Sequence, residues 1–293
     1  MKKIAVVTGT SSGVGLHLAI LLAQRGYTTV ATMRNISKQD ALLAEAEKQG
    51  VSVLVRQLDV QDDDSVQGCL QAVIDEFGQI DLLVNNAGAG YVRSTEQATK
   101  AEIDEVFDIN LMGVIRCTRA VLPTMRVRRQ GHIINISSVG GLVGQPFNEL
   151  YCAAKFAVEG YTEALATYVQ PAFGILFTLI EPGGIRSEFV NNVMEKMNAT
   201  GGVAEDEYQP ILARYRNSMQ QRAAAGGGEV YQSSEEVARI VADCAGMEKP
   251  PLRLRTSAWA EDLCRYKTAN DPDGSLQQQM VIDMFLQGIG KME

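Results

Sequence analysis

The sequence predicts an α/β fold in which one doubly wound parallel sheet carries helices on both faces. Short runs rich in β-branched residues alternate with longer helical stretches over residues 4–180. The short runs are apolar at successive positions, as expected for parallel strands that are buried on both faces. Of the 293 residues, 46% are hydrophobic and 21% charged, and no linker divides the chain, so we expect a single domain over residues 1–293.

The predicted elements alternate along the chain, and right-handed crossovers between successive strands place helices on both faces. Apolar runs bounded by turn residues predict strands over residues 4–8, 27–33, 51–58, 80–85, 133–137 and 174–180. Helical spacing predicts helices over residues 14–25, 38–49, 65–77, 102–128, 152–169 and 235–245.

The alternation weakens after Glu181. Residues 186–231 are polar and rich in methionine, with glycines at 201–202 and 226–228. Because this segment starts at the carboxyl edge of the sheet and methionine adapts to varied apolar shapes, we predict a helical substrate lid. A pair of ordinary packed helices is the alternative.

Composition and charge exclude several classes of partner. A formal net charge of −8 repels nucleic-acid phosphates and anionic lipids, so neither is expected as a partner. The five cysteines show no CxxC spacing and there are two histidines, which predicts reduced thiols and no metal site. The first apolar run ends at Gly9, too short for a signal peptide or a membrane span, so we expect a cytoplasmic protein.

A glycine-rich turn joins the first strand to the first helix. Its glycines let the backbone approach a pyrophosphate, while the helix N-terminus offers free N–H groups and a positive dipole end. A turn at this place is typical of a Rossmann-like dinucleotide site, although glycine turns also serve packing alone. The expected contacts are Gly9, Ser11, Ser12, Gly13, Val14 and Gly15.

The end of the second strand distinguishes NAD from NADP. An acidic residue there binds the ribose 2′-hydroxyl of NAD, whereas an arginine accommodates the 2′-phosphate of NADP. This sequence has Arg34 and no acid, which favours NADP(H); a solvated loop arginine is the alternative. Asp59, after the third strand, is a candidate contact for the adenine amino group or else a cap of a turn.

Tyr151 and Lys155 are four residues apart and therefore share one face of a helix. Reduction of a carbonyl needs a proton donor as hydride reaches carbon. A free phenol has a pKa of about 10, and a nearby ammonium lowers it, as does the positive charge of an oxidised nicotinamide. The same spacing also occurs where a packed tyrosine lies beneath a solvated lysine.

Ser138 and Asn110 complete the candidate catalytic set. Ser138 ends the fifth strand at the carboxyl edge, where its hydroxyl can stabilise charge on a substrate oxygen; a strand-end turn is the alternative. Asn110 lies within a predicted helix, where it can hold a water that links Lys155 to solvent, or simply occupy an exposed face.

Together and in this order, these motifs resemble those of the short-chain dehydrogenase/reductase family along almost the whole chain. The family's Asn-Ser-Tyr-Lys tetrad matches Asn110, Ser138, Tyr151 and Lys155. Its Asn-Asn-Ala-Gly motif matches residues 85–88, and its Pro-Gly stretch beside the nicotinamide matches residues 182–185, followed by a serine where many members have threonine. The resemblance implies further cofactor contacts at Val60, Asn86, Ala87, Gly88, Tyr151, Lys155, Pro182, Gly183, Ile185 and Ser187.

Residues 31–34, 140–151 and 270–275 are similar to estrogen-type hydroxysteroid dehydrogenases and photoreceptor-type retinol dehydrogenases. That resemblance implies NADP(H) and a fairly apolar carbonyl substrate. The sequence after Arg186, where family members set substrate choice, departs strongly from this subgroup, so neither a steroid nor a retinoid is implied.

The sequence therefore predicts a reversible NADP(H)-dependent reductase of a ketone or aldehyde. One alternative is a β-ketoacyl reductase of fatty-acid or polyketide synthesis, with Arg126, Arg128 and Arg129 facing an acidic acyl carrier protein; the same cluster is also explained as a helix end. A second alternative is a non-catalytic cofactor-binding sensor, against which the intact tetrad argues.

The predicted helices over residues 102–128 and 152–169 carry apolar residues on more than one face, whereas one stripe is enough to cover a sheet. We therefore expect a homodimer or homotetramer, in which these helices pair as they commonly do in the family. The residues concerned are Leu111, Val114, Ile115, Val121, Phe156, Tyr161, Leu165 and Tyr168.

Overall fold

The computed structural model describes residues 2–186, 193, 195, 202 and 205–286, apart from the side chains of residues 219 and 222–230. The strands of this part of the chain are β1 Ile4–Thr8, β2 Thr28–Met33, β3 Leu54–Gln57, β4 Leu82–Asn85, β5 Gly131–Ile136, β6 Ile175–Glu181, β7 Gly184–Arg186, β8 Tyr231–Ser233 and β9 Arg253–Arg255. One parallel sheet has the order β3-β2-β1-β4-β5-β6-β9, and β7 pairs with β8 in a second, small parallel sheet.

Helices cover both faces of the large sheet, which confirms the predicted fold class. The described helices are α1 Gly13–Gln24, α2 Asp40–Lys48, α3 Asp63–Phe77, α4 Lys100–Phe107, α5 Gly113–Arg128, α6 Glu149–Phe173, α7 Gln209–Val230, α8 Ser234–Ala245, α9 Ala258–Thr268 and α10 Ser275–Phe285. One core cluster joins the sheet to α3, α5 and α6 through residues such as Leu70, Val121 and Leu165. A second cluster joins it to α1 and α8 through Leu18 and Val241.

The strand order reverses between β1 and β4, because the chain first builds β1, β2 and β3 outward and then returns to the other side of β1. Ligands of such sheets bind in the crevice beyond the carboxyl ends of the strands, at the point of reversal. The segments that follow β1 to β6 at this edge are those that carry most of the predicted site residues.

Three parts of the large sheet differ from the prediction. β3 is an edge strand of four residues with partly exposed side chains, so it is not apolar on both faces. β5 ends at Ile136, and Ser138 instead opens a 3-10 turn over Val139–Gly141. β9 escapes prediction because Arg253 and Arg255 interrupt its apolar pattern; both arginines pair with buried acid on β6.

Three of the eight apolar residues expected to form a second stripe on α5 and α6 lie inside the chain's own core. Val114, Val121 and Leu165 are buried against the sheet, so they are not available to a partner. Phe156 and Tyr168 on α6 are 42% and 45% exposed. These two aromatic residues are the exposed members of the predicted set, and an interface between copies of this chain stays a prediction.

None of the helices in the described residues combines the length and the apolar character that a membrane crossing requires. The same part of the chain places no group of three or more His, Cys, Asp or Glu side chains where it could hold a metal ion. The five cysteines are all free thiols.

Candidate active site

The glycine-rich turn packs closely against the segment after β4. Gly9 has a φ of 71° and Gly13 a φ of 61°, which glycine adopts more readily than other residues. A Cβ on Gly9 would lie 2.8 Å from Cα of Ala87, and one on Gly15 would lie 2.4 Å from the carbonyl oxygen of Gly9. The shape of this turn therefore depends on its glycines.

The N-terminus of α1 is open to an anion. Ser12 is its N-cap residue, yet the Ser12 side chain makes no capping hydrogen bond. No acidic residue lies in the first turn, so none of the helix's own carboxylates offsets the positive end of its dipole there. Together with the tight glycine turn, these features fit the pyrophosphate of a dinucleotide cofactor.

Thr8 and Asn86 join the turn after β1 to the segment after β4. Thr8 Oγ1 accepts the backbone N–H groups of Asn86 and Ala87, each at 3.0 Å. Asn86 Nδ2 donates to the carbonyl oxygens of Thr8 at 2.8 Å and Gly9 at 3.0 Å. The sequence interpretation missed Thr8; its signal is a hydroxyl at the last position of an apolar strand.

The residues expected to select the cofactor lie beyond β2 and β3. Arg34 directly follows β2, is exposed, and has Nη1 3.5 Å from Oε1 of Gln61. Asp59 Oδ1 accepts the backbone N–H of Gln61 at 3.1 Å, so Asp59 caps a turn here. This is the role that the sequence predicted as the alternative to an adenine contact. Val60 is buried, and its carbonyl oxygen accepts a hydrogen bond from Arg116 at 3.0 Å.

Ser138 and Tyr151 come together beyond the carboxyl end of β5. Tyr151 lies in the first turn of α6, and its hydroxyl and that of Ser138 are hydrogen-bonded. A Cβ on Gly140 would lie 3.3 Å from Oγ of Ser138 and 3.4 Å from Cε1 of Tyr151. Glycine at this position thus lets the phenol ring approach the serine.

Lys155 lies one turn further along α6, where it is only 4% exposed. Its Nζ donates to the carbonyl oxygen of Ile136 at 2.9 Å and lies 5.7 Å from the centroid of the Tyr151 ring. Gly88 lies between Lys155 and Asn110: a Cβ there would be 3.1 Å from Asn110 Oδ1 and 3.8 Å from Lys155 Nζ. The structure thus brings the four tetrad residues to one place.

Asn110 is fully buried, so the alternative of an exposed face is wrong. It lies in a π-helical turn over Asp108–Met112 that separates α4 from α5, and such turns are frequent at functional sites. Its Nδ2 donates to the carbonyl oxygen of Ala89 at 2.8 Å and that of Val106 at 2.9 Å, while Oδ1 accepts the N–H of Ala89 at 3.1 Å. The side chain therefore holds the segment after β4; the water stays a prediction.

The predicted lowering of the Tyr151 pKa by Lys155 is wrong for the chain on its own. Burial raises the pKa of Tyr151 to about 12, although the hydrogen bond with Ser138 acts in the opposite direction. Burial also lowers the pKa of Lys155 to about 8, against the opposing charge of Glu159. Lys155 therefore loses its charge before the phenol ionises.

The predicted nicotinamide contacts follow β6 at the same edge. The carbonyl oxygen of Pro182 accepts the N–H of Val139 at 2.9 Å, which ties this stretch to the turn after Ser138. A Cβ on Gly183 would lie 2.9 Å from the indole ring of the tryptophan in α9. Ile185 lies in β7, and Ser187 lies outside the described residues.

A family model for short chain dehydrogenases matches residues 3–198, and the chain belongs to this family. It is thus an oxidoreductase of a class that binds a nicotinamide cofactor and acts on alcohol or carbonyl groups. The geometry described above fits that class, because the residues predicted to contact the pyrophosphate, the ribose and the nicotinamide lie along one edge of the sheet where the structure describes them.

Individual relatives confirm the predicted subgroup. Retinol dehydrogenase 8 of Bos taurus is 40% identical over 275 residues, which cover 92% of this chain and 86% of that protein. 17-beta-hydroxysteroid dehydrogenase type 1 of Homo sapiens is 34% identical over 284 residues, 94% of this chain and 83% of that protein. Among solved structures, a variant of actinorhodin polyketide ketoreductase with NADPH has a TM-score of 0.75 at 28% identity, covering 88% of this chain and 97% of that one.

Proposed function

We propose that this chain is an NADP(H)-dependent oxidoreductase that interconverts a fairly apolar ketone or aldehyde with its alcohol. The observation that carries the proposal is the convergence of Ser138, Tyr151 and Lys155 beside the glycine turn. Relatives named for retinol and a hydroxysteroid support an apolar substrate. A structural neighbour with NADPH supports the choice of NADP.

Tyr151 is the proposed acid in reduction and the base in oxidation. Its hydroxyl passes the proton to the substrate oxygen, and Ser138 stabilises developing charge on that same oxygen. Lys155 provides positive charge beneath the phenol and a hydrogen-bond donor for the cofactor ribose. When bound, the cofactor supplies hydride and, in its oxidised form, a positive charge that favours the phenolate of Tyr151.

A substrate panel tests this proposal. Free apolar ketones and aldehydes are compared with ketoacyl thioesters on an acyl carrier protein, and consumption of NADPH is followed by absorbance. We expect turnover of the free carbonyl compounds. Absence of turnover on every carbonyl compound with both NADPH and NADH would contradict an enzymatic role, and faster turnover of the thioesters would favour the carrier-linked alternative.

The arginine cluster considered for a carrier protein is engaged within the chain. Arg128 Nη2 lies 2.9 Å from Oδ1 of Asp81, and Arg129 Nη2 donates to the carbonyl oxygen of Ala172 at 2.8 Å. Arg126 lies 6.0 Å from the centroid of a phenylalanine ring in α6. These contacts support the helix-end explanation, so we place free carbonyl compounds first.

We expect Arg34→Asp to reverse the cofactor preference from NADPH towards NADH. Arg34 is exposed beyond β2, where its positive charge is available to a 2′-phosphate, and an aspartate there would repel the phosphate and accept from a ribose hydroxyl. The measurement is kcat/KM with each cofactor for both proteins. Arg56→Asp, on the neighbouring strand, is the control. If Arg34→Asp leaves the ratio of kcat/KM with NADPH to that with NADH unchanged, the proposed role of Arg34 in cofactor choice is contradicted.

We propose that α7 is part of the predicted substrate lid, of which residues 187–192, 194, 196–201, 203 and 204 lie outside the described part of the chain. Tyr215 of α7 contacts the loop before the catalytic helix: its hydroxyl accepts from Asn148 Nδ2 at 3.3 Å, and its ring centroid lies 6.1 Å from that of Phe147. Amide exchange in α7 is expected to slow when NADPH and a substrate analogue bind. Equal exchange in both states would leave α7 as an ordinary packed helix.

We also propose that α6 forms an interface between two copies of this chain. Phe156 and Tyr168 are large and half-exposed on this helix, and apolar surface of this kind usually marks a contact. Light scattering is expected to give at least twice the 31.8 kDa of one chain, and Phe156→Asp to reduce it. Tyr266→Asp, at an exposed tyrosine on α9, is the control. A monomer at micromolar concentration would refute the interface.

A further inference from the structure

A group of buried charged side chains lies behind the catalytic helix. Glu159 of α6 and Glu181 at the end of β6 have side chains that are only 5% and 0% exposed. Arg253 Nε lies 3.4 Å from a carboxylate oxygen of each, so it bridges the two glutamates. Arg255 Nη1 lies 2.8 Å from the other oxygen of Glu181.

The two carboxyl groups contact each other. Glu159 is hydrogen-bonded to the carboxyl group of Glu181 and to the hydroxyl of Ser137. A Cβ on Gly141 would lie 2.7 Å from Ser137 Oγ and 3.0 Å from Glu159 Oε1, so glycine at this position leaves room for the serine hydroxyl to approach the carboxyl group. Two ionised carboxylates can only accept hydrogen bonds, so neither can donate to the other. One added proton lets one carboxyl group donate to its neighbour.

The pair lies among cations and further carboxyl groups. The side chains of Glu163 and Glu261 are 33% and 50% exposed, so water stabilises their charges, whereas the pair itself is shielded from water. A buried net charge is costly unless it is neutralised. The groups that face the pair are Lys155 and Glu163 on α6, Arg253 and Arg255 on β9, and Glu261 and Cys264 on α9.

The direction of both titrations agrees with this geometry. Burial raises the pKa of Glu159, against the opposing effects of the hydrogen bond with Ser137 and the charge of Arg253. Burial, and then the charge of Glu159, raise the pKa of Glu181 to about 9. Two carboxyl groups this close ionise as a coupled pair, so the retained proton belongs to the pair and not to one residue.

Each of these side chains is next to a residue of the proposed active site. Glu159 lies one helical turn beyond Lys155, and its charge raises the pKa of that lysine against the effect of burial. Glu181 immediately precedes Pro182, whose carbonyl oxygen holds the turn after Ser138. The pair thus touches the catalytic helix and the strand that leads to the nicotinamide contacts.

We propose that Glu159 and Glu181 share one proton and are positioning residues of the active site, fastening α6 to the end of β6 and setting the charge beside Lys155. The shared proton stands on the structure alone, whereas its role in catalysis rests on the proposed function. Neither glutamate touches the substrate or the cofactor in this proposal; both act through Lys155 and Pro182.

The shared proton is tested by unfolding experiments at several pH values. An unfolded glutamate has a pKa of 4.5, so between that pH and about 9 the folded chain holds one proton more than the unfolded chain. The pair therefore contributes a fall in stability as pH rises, by up to tenfold per pH unit in the unfolding equilibrium constant, and this slope is read between pH 6.5 and 8, where neither His132 nor Lys155 contributes an opposing slope. Glu181→Gln, which donates an N–H in place of the proton, is expected to remove this slope.

Glu163→Gln is the matched control. Glu163 lies one turn beyond Glu159 on α6 and also contacts Arg253, but its side chain is 33% exposed. This variant is expected to keep the slope of the wild type. Equal slopes in the wild type and Glu181→Gln would overturn the shared proton.

Infrared spectra at neutral pH give a second measurement: the carbonyl band of a protonated carboxylic acid is expected in the wild type and Glu163→Gln, and its absence from the wild type would also overturn the proposal.

The positioning role is tested by the pH dependence of kcat. Glu159→Gln leaves the one negative charge of the pair on Glu181 and none on the helical turn beyond Lys155, so the limb of the profile that reports Lys155 is expected to move to lower pH, while Glu163→Gln leaves it in place. If Glu159→Gln folds and the Lys155 limb of its pH profile stays at the wild-type pH, the positioning role is contradicted. If the wild type shows no turnover, the proposed function is refuted instead. The pH dependence of the unfolding equilibrium would still decide whether the two glutamates share a proton.

Discussion

Tyr151→Phe is expected to lower kcat by about 10²–10⁴-fold while leaving the affinity for NADPH close to normal. The substitution removes the hydroxyl that is to give its proton to the substrate oxygen and keeps the ring that packs beside Gly140. Single-turnover rates with saturating NADPH and direct titration of cofactor binding separate the two effects. Activity within a few-fold of the wild type would mean that another group supplies the proton.

Tyr161→Phe is the control for this variant. Tyr161 lies on the same helix, it is partly buried, and burial raises the pKa of Tyr161 to about 12 as it does for Tyr151. Its hydroxyl is hydrogen-bonded to Thr118 and not to Ser138. Loss of the same atom at this second position is therefore expected to change kcat by less than a factor of about 3, since it removes no proton donor from the site.

The apolar strands and the motifs at their ends could be predicted from the sequence, because each depends on local pattern. β1 has the predicted bounds, and its end carries the glycine turn as expected. Tyr151 and Lys155 share a helical face because helical geometry alone requires it. Parallel strands place their carboxyl ends at one edge, so the encounter of these motifs also follows from the predicted topology.

The features that escaped prediction depend on contacts between distant parts of the chain. Asn110 is buried because its amide fits the backbone of Ala89, which no local pattern shows. β9 pairs with β6, where both of its arginines contact the buried Glu181, and no local pattern shows this partner. The raised pKa of Tyr151 reflects burial by the whole fold, whereas the spacing of Lys155 alone suggested the opposite direction.

Glu159 shows how local pattern and distant contact combine. It follows Tyr151 and Lys155 at the same helical spacing, so the sequence places all three on one face of α6. An acid at this position looks like an ordinary solvated residue until β6 and β9 bring Glu181 and Arg253 against it. The helical repeat in the sequence places Glu159 on the same face as Tyr151 and Lys155. Only the tertiary contacts show that this carboxyl group is buried.

Lys155→Met is expected to produce a folded protein that has lost both turnover and cofactor affinity. Methionine keeps the length of the buried stem, whereas the charge beneath the phenol and the donor proposed for the cofactor ribose both disappear. We expect kcat/KM to fall by at least about 10²-fold and the Kd for NADPH to rise. Lys100→Met, at an exposed lysine on α4, is the control and is expected to leave both unchanged.

The stability of Lys155→Met distinguishes a lost function from a damaged fold. The folded-state pKa of Lys155 is lowered from 10.5 to about 8, so between these values the lysine of the unfolded chain binds more protons, and Lys155 contributes a rise in the stability of the wild type with pH. Lys155→Met lacks this rise and gains up to about 3 kcal/mol at pH 7, less the loss of the hydrogen bond to Ile136. Denaturant titrations at pH 7 and pH 10 measure both effects. We expect Lys155→Met to be inactive yet at least as stable as the wild type at pH 7. That result would mean that Lys155 is a buried charge kept for catalysis at a cost in stability. An unfolded or fully active variant would contradict this role.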